Sequence, residues 1–164
     1  MVARHDGSWT RMDKAFKRAE GLLENWMKEH HDKDCYPPTI INITDGEYNG
    51  TSYDEMQQLA NQLKSMFTND GNVLLFNIHV VPEHAESVVF PATADELNGN
   101  GYGKKLYEMS SLLPLNYNEQ IRNIFGDKQA DIRYHAMGVN TGMERLVKMM
   151  KIGTLSRMLA NQNP

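Results

Sequence analysis

The run Pro37-Pro38-Thr39-Ile40-Ile41-Asn42-Ile43-Thr44-Asp45-Gly46-Glu47 constrains the fold more than any other part of the chain. Ile40, Ile41 and Ile43 are β-branched and suit a strand with apolar cover on both faces, which is how a parallel strand reads. The two prolines stop any helix that precedes it, because proline lacks an N–H and restricts the residue before it. Asp45 then stands where the strand ends. Ligands of open parallel sheets bind just beyond the carboxyl ends of the strands. A carboxylate in that place is a turn former or a ligand, and Asp-Gly is a common turn dipeptide.

Helical and extended segments alternate around this strand. Thr10 reads as an N-cap with Asp13 at the capping-box position. Met12, Phe16, Ala19, Leu23 and Trp26 follow as the stripe of an amphipathic helix running to about Glu29. His30 to Cys35 reads as a solvated loop, since its spacing matches no zinc pattern. Ser52 and Glu55 form a second capping box. The helix after it carries Tyr53, Met56, Leu59, Ala60, Leu63, Met66 and Phe67, and Gly71 is expected to close it in a left-handed cap. Val73 to Val81 is near-continuously apolar and predicts a central strand. His79 and His84 read as a half-buried and a loop histidine.

Ser87 to Pro91 predicts a short extended piece near an edge. The glycine-rich Asn98 to Gly103 does not follow a strand as a dinucleotide fingerprint would. A helix from Lys104 to Ser111 turns Leu106 and Met109 inward, and Pro114 ends it. Asn116 and Glu119 are expected to cap a helix carrying Ile121, Ile124 and Phe125, closed by Gly126. Tyr134 to Val139 predicts a third strand. Thr141 and Glu144 are expected to cap a helix with Met143, Leu146, Val147 and Met150 inward. Leu155, Met158 and Leu159 extend a last helical piece, and Asn161 to Pro164 is expected to fray. The order predicts one α/β domain over residues 1–164: a doubly wound, Rossmann-like parallel sheet of about three to four strands with helices on both faces.

Composition narrows the function. The chain has 164 residues, 40% of them hydrophobic and 23% charged, as in an ordinary globular protein. A net charge of -4 argues against a nucleic-acid surface. No apolar run approaches the ~20 residues that span a bilayer, and Met1 to Asp6 lacks the apolar region of a signal peptide. The single cysteine, Cys35, excludes an intrachain disulfide. These features together predict a cytoplasmic protein.

Several segments are similar to von Willebrand factor A domains of bacterial type. Gly7-Ser8-Trp9-Thr10-Arg11-Met12 before a helix resembles that family's threonine loop, and Ile40 to Glu47 resembles its fourth strand and the aspartate that follows. Glu108-Met109-Ser110-Ser111-Leu112-Leu113-Pro114 and Lys151-Ile152-Gly153-Thr154 resemble later segments. The resemblance implies a doubly wound α/β fold and a metal-ion-dependent adhesion site that docks a partner's carboxylate through Mg²⁺ and performs no catalysis. Thr10 matches the family's metal-site threonine and Asp45 its aspartate. The family's Asp-x-Ser-x-Ser loop occurs nowhere in this sequence, so the resemblance covers the second half of the fold. Whether the chain is a truncated gene, a cloned fragment or half of a split domain stays open.

Two oxygen ligands from Thr10 and Asp45 imply only weak Mg²⁺ binding. The strand Thr39–Thr44, without the first strand beside it, is expected at a sheet edge that binds a protein partner or a second copy. Trp9, Phe16 or Trp26 is then expected to be partly exposed. Residues 1–9 folding back over that edge is the other arrangement. The expected function is a protein-interaction module; the alternatives are a metal-free remnant that only associates, and a phosphohydrolase-like enzyme using Asp45. No Gly-x-Ser-x-Gly elbow, no Ser-His-Asp order and no second strand-end aspartate supports the enzyme.

Overall fold

A computed structural model describes residues 10–30, 33–80, 86–97 and 101–154. In chain order they form α1 (Met12–His30), β1 (Thr39–Thr44), α2 (Tyr53–Ser65), β2 (Phe67–Thr68), β3 (Gly71–Asn72), β4 (Leu74–His79), β5 (Val88–Val89), α3 (Gly101–Met109), α4 (Asn118–Phe125), β6 (Met137–Val139) and α5 (Gly142–Gly153). Short 3-10 turns span Ala94–Leu97 and Leu115–Tyr117. The main sheet has four strands in the order β1-β4-β6-β5. β1, β4 and β6 are parallel and β5 is antiparallel, so the sheet is mixed. β2 and β3 form a separate hairpin. The fold is α/β, as the alternation of elements predicts.

Every residue of β4 is buried, because helices cover both of its faces. Side chains alternate across a strand, and the core divides accordingly. Leu74, Phe76 and Ile78 point to one face, where Ile121 of α4, Met149 and Ile152 of α5, and Phe90 pack on them. Phe90 adopts a positive φ of 49° and sets its ring edge-on to Phe76 and Phe125. Leu75 points to the other face, with Met12 and Phe16 of α1, Met56, Ala60 and Leu63 of α2, and Leu106 and Met109 of α3. Gly153 lets α5 lie directly on the sheet: a Cβ there would come 3.0 Å from the Phe76 ring and 3.1 Å from the Thr39 methyl.

The third strand is shorter than its sequence predicts. Tyr134 to Val139 reads as continuous β, yet only Met137–Val139 pairs with β4. Ser111 takes the place beside Leu75. Its Oγ accepts the Leu75 N–H at 2.8 Å, its own N–H donates to the Leu75 carbonyl at 2.9 Å, and its carbonyl accepts from Ala136 at 2.8 Å. The chain at Ser111 to Leu113 thus wedges between β4 and Tyr134-His135-Ala136. Next to it, the buried Asn77 donates to Ser110 Oγ at 3.0 Å and to the Leu106 carbonyl at 3.1 Å, and accepts from Asn42 at 2.8 Å. A segment quoted for its family resemblance therefore has a structural task here.

Several local expectations are corrected. Helix α1 begins at Met12, and the Asp13 carboxylate is clasped by Arg11 at 2.9 and 2.8 Å instead of capping toward Thr10. This guanidinium holds the Asp13 carboxyl down at about 2. The Ser52–Glu55 capping box forms as expected. Its helix ends at Ser65 on an extended Met66, so Gly71 belongs to the β2–β3 hairpin and Phe67 is 71% exposed. Helix α4 starts at Asn118, not under an Asn116 cap; the buried Asn118 donates instead to the carbonyls of Ala130 and Ile132. Thr141 makes no side-chain cap, and Glu144 pairs with Lys148. Phe16 is buried, and His79 is buried and not half-buried. His84, Trp9 and Leu155 to Pro164 lie outside the described residues.

Two stability outcomes follow from the packing around β4. Leu75→Ala removes a fully buried side chain and should cost about 2–5 kcal/mol in denaturant unfolding; a loss below about 1 kcal/mol would mean that β4 is misplaced. Ser111→Ala leaves the buried Leu75 N–H without its acceptor, so it should cost about 1–3 kcal/mol. That loss is more than deleting an exposed hydroxyl would cause, and Ser65→Ala on α2, where the hydroxyl donates to the Gln62 carbonyl at the surface, supplies the comparison in the same unfolding experiment.

Candidate interaction site

Two features of the sheet bear on function: the carboxyl ends of its parallel strands, and the outer side of β1. At the strand ends, Asp45 is exposed and its Oδ1 accepts the Glu47 N–H at 3.2 Å, the geometry of an Asx turn. The Asp45 carbonyl accepts from His79 Nε2 at 2.8 Å. His79 ends β4 as Thr44 ends β1, so this bond locks the turn onto the neighbouring strand. His79 Nδ1 is buried and has no hydrogen-bond partner among the described residues. Gly46 allows the close approach. Its φ is +87°, and a Cβ there would fall 2.7 Å from Tyr102 Cβ and 2.9 Å from His79 Nε2. The Thr10 carbonyl accepts the Asn49 N–H at 2.9 Å, tying the start of α1 to the same loop.

Thr10 and Asp45 therefore belong to one end of the molecule, held by the loop from Asp45 to Asn49. The donor set fits a Mg²⁺ ion poorly. The ion takes an octahedron of oxygen ligands, and one Asp45 oxygen already serves its own turn. Among the described residues, no three of His, Cys, Asp or Glu gather closely enough to hold a metal.

The outer side of β1 is the second feature. β1 pairs with β4 alone among the described residues. In this parallel ladder the carbonyls of Pro38 and Thr44 accept from Leu74 and Val80. Alternation then turns Ile40 and Asn42 toward β4, and Thr39, Ile41 and Ile43 present their N–H and C=O groups outward. No charged side chain occurs from Thr39 to Thr44. Ile43 is 56% exposed, against the expectation that it lies under a helix. It belongs to the face covered by α5, but the C-terminal end of α5 lies over the start of β1, where the Thr39 hydroxyl donates to the Gly153 carbonyl. The far end of β1 is left uncovered.

Helix α5 adds to this rim. Met143, Leu146, Val147 and Met150 read as its inward stripe; the sheet takes Met149, Ile152 and Gly153 instead, with Leu146 only partly covered. Met143 is 75%, Val147 45% and Met150 43% exposed. The direction they face is fixed by Arg145, whose Nη1 donates to Ser87 Oγ at 2.9 Å, just before β5 on the opposite edge. At 3.6 residues per turn, Met143 and Met150 lie on the other flank, toward β1, and Val147 lies nearly opposite the side that the sheet takes. Sequence reasoning missed this stripe because α5 is apolar on more than one side, and periodicity cannot choose which side the sheet will take. On the other face, α1 buries only Met12, Asp13 and Phe16, and Trp26 is half-buried as expected.

No family model matches the chain, and no curated protein or solved structure is significantly similar to it.

Proposed function

We propose that this chain is a protein-interaction module that takes a strand of a partner along the open side of β1. One observation carries the reading: a six-residue strand without charges has Thr39, Ile41 and Ile43 facing outward at the sheet edge. Such an edge is a template for pairing with another chain, and proteins ordinarily blunt it with charge, proline or a bulge. Here Pro37 and Pro38 guard only its beginning. The exposed flank of α5 widens the same rim, and a contiguous apolar patch at a surface marks an interaction site. The resemblance to von Willebrand factor A domains, which dock proteins, supports the same class of function. Metal is secondary in this reading, since Thr10 and Asp45 offer too few fixed oxygens.

A photo-reactive amino acid in place of the exposed Ile43 should give an intermolecular adduct when the chain is illuminated under native conditions. The same probe in place of Arg122, on the exposed side of α4, should not. Ile41→Pro removes an outward N–H while sparing the ladder to β4, and it should abolish the adduct without loss of the circular dichroism spectrum. Adducts confined to the chain's own residues 1–9 would show that this edge is already covered and would refute the proposal.

The metal is tested separately. Isothermal titration with Mg²⁺ or Mn²⁺ should give a Kd of about 1 mM or weaker, because hydrated Mg²⁺ gives up its water reluctantly to so few ligands. Micromolar binding lost in Asp45→Ala would contradict it.

A further inference from the structure

We infer that the occupant of the β1 edge is a second copy of this chain, paired antiparallel across a two-fold axis at Ile41. This rests on the interaction reading above and names its partner. The outward residues are Thr39, Ile41 and Ile43. A two-fold through Ile41 sets Ile41 opposite itself and Thr39 opposite Ile43 of the second copy, which uses the full length of the strand. The hydrogen-bonded pairs are then all β-branched, Ile40 stands opposite Asn42 of the second copy, and no like charges are opposed, a pairing that an antiparallel ladder accommodates. Among the described residues the two sheets join into one of eight strands, β5-β6-β4-β1-β1-β4-β6-β5, whose open edges are the two-residue β5 strands.

The helices make the edge complementary to itself. Along β1, α5 covers the beginning, at Thr39, and leaves the end, at Ile43, exposed. Antiparallel pairing brings the bare end of one copy beside the covered end of the other, so each α5 terminus shelters the other copy's Ile43. A two-fold perpendicular to the sheet also keeps both α5 helices on the same face. Their Met143 and Met150 side chains, on the flank toward β1, then lie on the sides of the two helices that face each other over the joined strands. A partner of another kind would have to supply such a flank; a second copy carries it already. The exposed parts of Ile43, Met143 and Met150 amount to on the order of 400 Å² per copy, the size of patch that marks a site on a monomer. With the strand backbone added, the dimer lies near the lower end of stable interfaces, about 1,200 Å² in total. A micromolar Kd is therefore expected in place of a nanomolar one.

The full-length chain tests this directly. Light scattering coupled to size-exclusion chromatography should show a mass rising from 18.7 kDa toward twice that value as concentration increases through the micromolar range. Ile43→Lys, at an exposed position, should shift that transition at least about tenfold toward higher concentration with an unchanged circular dichroism spectrum. Hydrogen-bonded antiparallel neighbours have Cα atoms about 5.5 Å apart, within disulfide range. Ile41→Cys in a Cys35→Ser background should therefore form a covalent dimer on mild oxidation, whereas Arg122→Cys in the same background should not. A chain that stays monomeric at roughly 100 µM and gives no Ile41→Cys dimer overturns the proposal. If such a monomer still yields an intermolecular photo-adduct with a different protein from position 43, self-association is wrong and the interaction module stands; if it yields none, both fall.

Discussion

A backbone amide in the interior of a protein must find a partner, and the fold turns on how β4 meets that demand. Its residues are buried on both faces, so neither water nor a surface side chain can help them. On one side β1 supplies the whole ladder. On the other, β6 reaches only Asn77 to His79, and Ser111 completes the row at Leu75 with its hydroxyl and its own N–H. Asn77, inside an otherwise apolar strand, is tolerable only because Asn42, Ser110 and the Leu106 carbonyl satisfy its amide. This polar seam fastens the end of α3 to the middle of the sheet. It thereby places Leu106 and Met109 over Leu75 and lets the chain leave toward α4 on the opposite face.

The two edges of the sheet are built differently. β5 is two residues long, antiparallel and flanked by the buried Phe90, and so offers little template to another chain. β1 is six residues long and parallel to its neighbour, and its outward backbone groups have no strand beside them among the described residues. The helices above and below it are also unevenly filled. α1 spends only its first turns on the core, and α5 settles on the sheet through Met149, Ile152 and Gly153 while a second apolar flank looks past the edge. Unspent apolar surface and unpaired backbone meet along one line of the molecule, and that coincidence gives the interaction reading its physical content.

The strand ends are organised by a few local bonds. Asp45, Gly46 and His79 form a tight corner in which a carbonyl is bonded by an imidazole and a carboxylate oxygen is bonded by the next turn. These bonds position the loop that runs to Asn49 and there holds Thr10. Together they fix the exit of β1 against β4 and the start of α1.

The sequence by itself determined the alternation of helices and strands, the burial of Val73 to Ile78, the Ser52–Glu55 capping box and the Asp45-Gly46 turn. Each of these depends on neighbours a few residues away: β-branched runs, a cap three residues from its carboxylate, a glycine where φ is positive. Only the tertiary structure decided the length of β6, because the competitor for its place, Ser111, comes from more than twenty residues earlier in the chain. The tertiary structure alone also decided which side of α5 is buried. Met143, Val147 and Met150 are as apolar as Met149 and Ile152, and the choice was made where Gly153 lets the helix come down onto Phe76 and Thr39 and where Gly138 of β6 leaves room for Met149. The exposure of Ile43 has the same origin: nothing in a run of isoleucines records where the covering helix stops.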